Sequence, residues 1–132
     1  MLELGPLDEF SSASEEDRRL IPFKKVLQIC SCLRELGNDN FSRQNFREAS
    51  HNYRKAIYVM EKRNIENDEE EAKQSGILLK LYLNMSQISL KQSKPKKCIY
   101  YCKLALTIEK DNVKAVFRYG KVHIEIFFYF PK

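Results

Sequence analysis

Residues 33–41 read LRELGNDNF, with Leu33, Leu36 and Phe41 at the apolar spacing of a helix. Gly37, Asn38 and Asn40 interrupt it. Each is a poor helix former, and Gly alone costs roughly 1 kcal/mol relative to Ala. Either a helix ends here, or these residues serve something other than helix propensity. The rest of the chain decides between the two.

Working outward, Pro22 suits the first turn of a helix that runs through FKKVLQICSCLRELGNDNF. Asn45 followed by Glu48 has the spacing of a capping box. A second helix over about 46–63 then places Phe46, Ala49, Tyr53, Ala56, Ile57 and Met60 on one face. The acidic run NIENDEEE, 64–71, reads either as a loop or as the solvated end of a long helix. A third helix fits 73–92, with Ile77, Leu81, Asn84, Met85 and Ile88 along it. Ser93 and Pro95 mark a break and a new start. PKKCIYYCKLALTIEK is a fourth helix, and Asp111 or Asn112 can cap a fifth that starts at Val113. With no Trp, four Gly and four Pro in 132 residues, the chain lacks the punctuation of a β-protein. The fold class is all-α.

The helices repeat. A shift of 34 residues puts Asn84 on Arg118 and Ser86 on Gly120. A shift of 49, which is 34 plus an insertion of 15, puts Gly37 on Ser86, Ala49 on Cys98, Tyr53 on Cys102 and Ala56 on Ala105. The insertion coincides with the end of the second helix and the acidic run. A helix–turn–helix unit of about 34 residues is the tetratricopeptide period. Small residues at Gly37, Ser86 and Gly120 would let paired helices approach closely, while Ala56 and Ala105 pack towards the next repeat.

The chain thus resembles a tetratricopeptide domain over about residues 23–123, through LRELGNDNF…QNFREASHNYRKAI, LYLNMSQISL…KPKKCIYYCKLALTIEKDN and VKAVFRYGK. Among such domains it is most similar to those of immunophilin co-chaperones of the FK506-binding-protein group, which share the long second helix and the insertion before LYLN. Within them it looks most like the germline branch typified by Shutdown. The resemblance implies a right-handed superhelix of two full repeats plus the first helix of a third. It also implies a two-carboxylate clamp that holds the C-terminal tail of a cytosolic heat-shock chaperone, of the Glu-Glu-Val-Asp type. The matching positions are Arg34 and Asn38 on the first helix, Asn84 on the third, and Lys114 and Arg118 on the fifth. The family usually has Lys where Arg34 stands; Arg keeps the charge and changes the geometry to a planar fork. Such proteins carry a prolyl-isomerase domain ahead of this module. About 20 leader residues cannot supply one, so the chain reads as non-enzymatic.

Residue chemistry fits the clamp. Positions four apart share a helical face, and the first helices of successive repeats line the concave surface of such an array. Bases and Asn amides there can hold a terminal carboxylate and its neighbouring side-chain carboxylate. Two other functions fit the sequence. A scaffold could bind its partner on the convex side. A helical solenoid could bind RNA, since the net charge is +5 and residues 1–20 carry −4, leaving +9 for the body. The aromatic residues Tyr53, Tyr100 and Tyr101 sit on packing helices, which speaks against stacking platforms for bases.

Other constellations carry no chemistry. Cys30 and Cys32 are two apart and point to different helical faces. Cys98 and Cys102 share a face but fall on packing positions, so buried thiols are expected, with no metal. His51 and His123 are isolated, Glu69, Glu70 and Glu71 form a solvated charge run, and no phosphate-binding Gly-rich loop is present. No cofactor is implied. The start lacks the pattern of a secretory signal, and no apolar run reaches the length of a membrane span. A reducing, cytoplasmic setting is expected, with no membrane partner.

Three regions are expected: an acidic flexible leader over 1–20, the tetratricopeptide domain over 21–125, and an apolar tail over 126–132. The tail belongs to a third repeat whose second helix never arrives. Ile124, Ile126, Phe127, Phe128, Tyr129 and Phe130 would lack cover, and self-association through this tail is a possible outcome.

Overall fold

The computed structural model describes residue 10 and residues 12–129. Among them are six helices: α1 (Glu15–Leu20), α2 (Phe23–Ser42), α3 (Phe46–Lys62), α4 (Asp68–Lys91), α5 (Pro95–Ile108) and α6 (Val113–Tyr129). The chain divides into two compact units, the first ending at Leu78 and the second starting at Leu79, so the boundary falls inside α4.

In the first unit α2 packs along α3. The helix does not stop at LRELGNDNF; α2 runs through it to Ser42. Its apolar stripe, including Val26, Ile29, Cys30 and Leu33, meets Ala49, Tyr53, Ala56 and Met60 of α3 in a buried core. Asn40 is held by function of position: its Nδ2 donates to Oδ1 of Asn52 on α3 at 2.8 Å. The Asn45–Glu48 capping box does not form, because Asn45 makes no side-chain cap bond. Gln44 instead turns the chain with a φ of 63°, and the N–H of Asn45 reaches back to the carbonyl of Asn40 at 2.8 Å. That is the closure of a Schellman-type turn, which satisfies a free carbonyl at the end of α2.

The acidic run divides between a loop and a helix. Residues 63–67 connect α3 to α4, and Asn67 Oδ1 accepts from the N–H of Glu70 at 2.9 Å. Asp68, Glu69, Glu70 and Glu71 then occupy the first turn of α4, where carboxylates complement the exposed N–H groups. Glu70 is more than part of a solvated run. It lies 3.9 Å from Arg63, a residue only 4% exposed. Arg63 also donates to the carbonyls of Ile21 and Asn64, and its guanidinium lies 5.6 Å from the ring centre of Phe23.

The acidic leader contains order that the sequence pattern did not foretell. Ser14 caps α1 through the N–H of Asp17. Phe10 is fully buried, and Arg18 donates to its carbonyl and to the hydroxyl of Tyr58. The rest of that leader, residues 1–9 and 11, lies outside the described residues.

In the second unit the turn geometry recurs. Ser93, 49 residues after Gln44, has a φ of 57°, and the N–H of Lys94 reaches the carbonyl of Ser89 at 2.8 Å. Asn112 is the cap of α6, since its Oδ1 accepts from Ala115 N–H at 3.0 Å. α6 packs on α5, with Val122 buried against Cys98 and Cys102 and flanked by Tyr119 and Ile126. Of the residues expected to lack cover, Ile126 is therefore partly covered. Ile124, Phe127 and Phe128 are exposed, and residues 130–132 lie outside the described residues. Gly120 does not serve close packing: nothing stands within 4 Å of where its Cβ would be.

Candidate functional site

Arg34 and Asn38 lie one turn apart on α2, in the first unit. Arg34 is half-buried and Asn38 exposed. Behind them stands Tyr53 of α3. A Cβ at residue 37 would come within 2.4 Å of Tyr53 Cε1, so only glycine admits the ring at its observed depth. The ring then places its hydroxyl 2.5 Å from Asn38 Oδ1, to which it donates. Tyr53 thus fills one acceptor site of the Asn38 carbonyl oxygen, and the Asn38 NH2 is left to donate. Burial raises the Tyr53 pKa, and the positive charge of Arg34 pulls it the other way.

Asn84, Lys114 and Arg118 belong to the second unit. Lys114 and Arg118, one turn apart on α6, line a groove of about 550 Å³ with Lys91, Lys121, Leu90 and Phe117. Arg118 is anchored at one corner. Its Nη1 donates to the carbonyl of Leu83 at 2.9 Å and to Ser86 Oγ at 3.0 Å. Ser86 passes its own proton to the same Leu83 carbonyl at 2.7 Å. Asn84 follows Leu83 directly and is half-buried. Among the described residues, no carboxylate forms an ion pair with Arg34, Lys114 or Arg118. Unpaired cations at a groove can receive an anion at full strength, without first losing an internal partner.

Beneath Arg118 lie Cys98 and Cys102, both fully buried, with sulfurs 4.0 Å apart. The hydrogen bond between them pushes the Cys98 thiol up and the Cys102 thiol down, and the charge of Arg118 also favours the Cys102 thiolate. Among the described residues all four cysteines are free thiols, and none joins a group able to hold a metal. His51 and His123 are both exposed, and the His123 ring lies tilted against that of Tyr119, their centres 4.4 Å apart. Sequence reasoning missed Tyr53 and Ser86 as polar partners of the site. The only signal was their place in the repeat, Ser86 at the position of Gly37 and Tyr53 at that of Cys102.

No family model matches the chain. Over 120 residues it is 33% identical to the mouse (Mus musculus) protein named inactive peptidyl-prolyl cis-trans isomerase FKBP6, covering 91% of this chain and 36% of that protein. It is 26% identical over 126 residues to the Hsp70/Hsp90 co-chaperone CNS1 of Saccharomyces cerevisiae, covering 91% of this chain and 30% of CNS1. The chain thus spans about a third of the length of the curated relatives it matches. In fold it is similar to the C-terminal TPR-containing domain of a putative FK506-binding protein of Plasmodium falciparum, with a TM-score of 0.71 over 90% of this chain and 73% of that one, at 22% identity. No helix among the described residues is long and apolar enough to cross a membrane. These residues thus have the fold of a tetratricopeptide domain, and their sequence is similar to a part of proteins named FKBP6 and CNS1.

Proposed function

We propose that this domain is a cytoplasmic co-chaperone adaptor that captures the free C-terminal tail of a heat-shock chaperone, most of all the ninety-kilodalton one, through Arg34, Asn38, Asn84, Lys114 and Arg118. The observation that carries this reading is the groove on α6. Lys114 and Arg118 line it, and among the described residues no carboxylate pairs with either. Lys91 and Lys121 add charge around it, and Leu90 and Phe117 add apolar contact area. A tail ending Glu-Glu-Val-Asp supplies two carboxylates at its terminus and further acids upstream. Hydrogen bonds to charged groups contribute about 1.5–3 kcal/mol each, so a few of them give reversible binding after the peptide is ordered. The name of CNS1 as an Hsp70/Hsp90 co-chaperone supports the same reading.

Calorimetry with a tail peptide ending Glu-Glu-Val-Asp tests it. Wild type is expected to bind, Lys114→Ala to bind at least tenfold more weakly, and binding to fall as salt rises. A wild-type chain that ignores the peptide but binds a short RNA would remove the reading.

A further inference from the structure

The paired helices of each repeat meet at a slot, and the two slots are filled in opposite ways. In the first unit the slot pairs Gly37 of α2 with Tyr53 of α3. In the second, the positions 49 residues later are Ser86 of α4 and Cys102 of α5, both fully buried. Where the first helix has no side chain, the second supplies a large one. Where the second helix carries a small side chain, the first carries one as well. Different chemistry thus reaches the same end: a hydroxyl stands directly behind a candidate clamp residue. Tyr53 donates to Asn38 Oδ1. Ser86 Oγ accepts from Arg118 Nη1 while its proton goes to the Leu83 carbonyl.

We propose that Tyr53 and Ser86 are positioning residues for ligand binding, which fix the direction in which Asn38 and Arg118 present their donors. This rests on the carboxylate-clamp reading of the same site. A free primary amide has two orientations, differing by a flip that exchanges acceptor and donor edges. With one acceptor site of Oδ1 filled by Tyr53, Asn38 holds its carbonyl oxygen toward the ring hydroxyl and turns its NH2 outward, so it meets a ligand chiefly as a donor. The site then favours a terminus that only accepts over one that must also place donors, such as a carboxamide. Among the described residues Arg118 has partners at Nη1 alone. Its plane is therefore fixed while Nε–H and the Nη2 hydrogens stay available for an anion. Neither hydroxyl has to touch the ligand.

Double-mutant cycles with two peptides test this: the tail ending Glu-Glu-Val-Asp as free acid and the same peptide amidated at its C-terminus. Tyr53→Phe removes one oxygen and is expected to weaken the free acid three- to tenfold. It should also narrow the preference for acid over amide, since a flipped Asn38 can accept from the amide. In an Asn38→Ala background Tyr53→Phe should have no further effect. Ser86→Ala should behave likewise, losing its effect in an Arg118→Ala background. Thermal melts of each variant show whether the fold is intact. A Tyr53→Phe chain that melts like wild type and keeps full acid preference would overturn the proposal while leaving the clamp standing. So would an effect undiminished by Asn38→Ala. If instead wild type shows no preference for acid, or Asn38→Ala and Arg118→Ala bind like wild type, the clamp itself fails and the positioning role falls with it.

Discussion

The Tyr53 ring occupies the space that any side chain at residue 37 would need, its Cε1 2.4 Å from the position of a Cβ there. Tyr53 is only 2% exposed. Gly37→Ala gains about 1 kcal/mol of helix propensity but meets a packed ring, and overpacking of this kind costs about 1–3 kcal/mol. A net loss of stability is expected in urea unfolding. In a Tyr53→Leu background the clash is relieved and the sign should reverse, Gly37→Ala becoming stabilising. The same direction in both backgrounds would mean that the ring is not what keeps residue 37 a glycine.

Gln44 and Ser93 hold left-handed backbone, at φ 63° and 57°, without being glycine. That conformation costs L-residues about 1–2 kcal/mol, and glycine adopts it freely. Ser93→Gly and Gln44→Gly are each expected to stabilise by on the order of 1 kcal/mol. Urea midpoints that fall in both variants would contradict the turn geometry.

Arg63 is a buried cation held chiefly by backbone carbonyls. Its bonds run to Ile21 and Asn64, whereas Glu70 lies at 3.9 Å. Arg63→Met keeps most of the stem and should cost about 1.5–3 kcal/mol, the range for hydrogen bonds of charged groups. Glu70→Gln should cost less, within about 1 kcal/mol. The reverse order would make the ion pair, and not the carbonyl contacts, the anchor of the loop after α3.

Burial pushes the Cys30 thiol up to about 12, and burial also raises Tyr53. Below the ordinary thiol pKa both folded and unfolded chains keep the Cys30 proton, so it adds no pH dependence. As pH rises beyond about 9, the unfolded chain releases that proton and the folded chain retains it, so stability falls until about 12. Cys30→Ala should show a shallower decline between those limits in a series of urea titrations. Parallel declines in the two proteins would rule Cys30 out as a source of the alkaline loss.

How much of this was legible in the sequence depended on whether the signal was local or relational. The helices declared themselves through apolar spacing, and Gly37 through its place in the 34-residue period. Asn45 misled because the spacing of a capping box says nothing about which turn precedes it; Gln44 adopts a left-handed conformation and closes the end of α2 differently. Asn40 stayed opaque because its partner, Asn52, lies on another helix and no periodicity links the two. The candidate clamp positions were named through family resemblance. Tyr53 and Ser86 were assigned to packing because a packing slot and a hydrogen-bond partner look the same in one dimension. Gly120 was misjudged for a related reason: a small residue signals close approach only where a helix stands opposite.

The two slot fillings also constrain the order in which such a domain could have changed. Suppose one repeat passed from the Gly37–Tyr53 arrangement to one like Ser86–Cys102. Adding the serine first would drive its Cβ into the ring at 2.4 Å. Shrinking the tyrosine first opens a temporary void instead. Only the second path avoids a collision, and it passes through a state in which neither side supplies a hydroxyl. On that supposition, single changes pass through an intermediate with a weakened groove, and only paired changes made together avoid it.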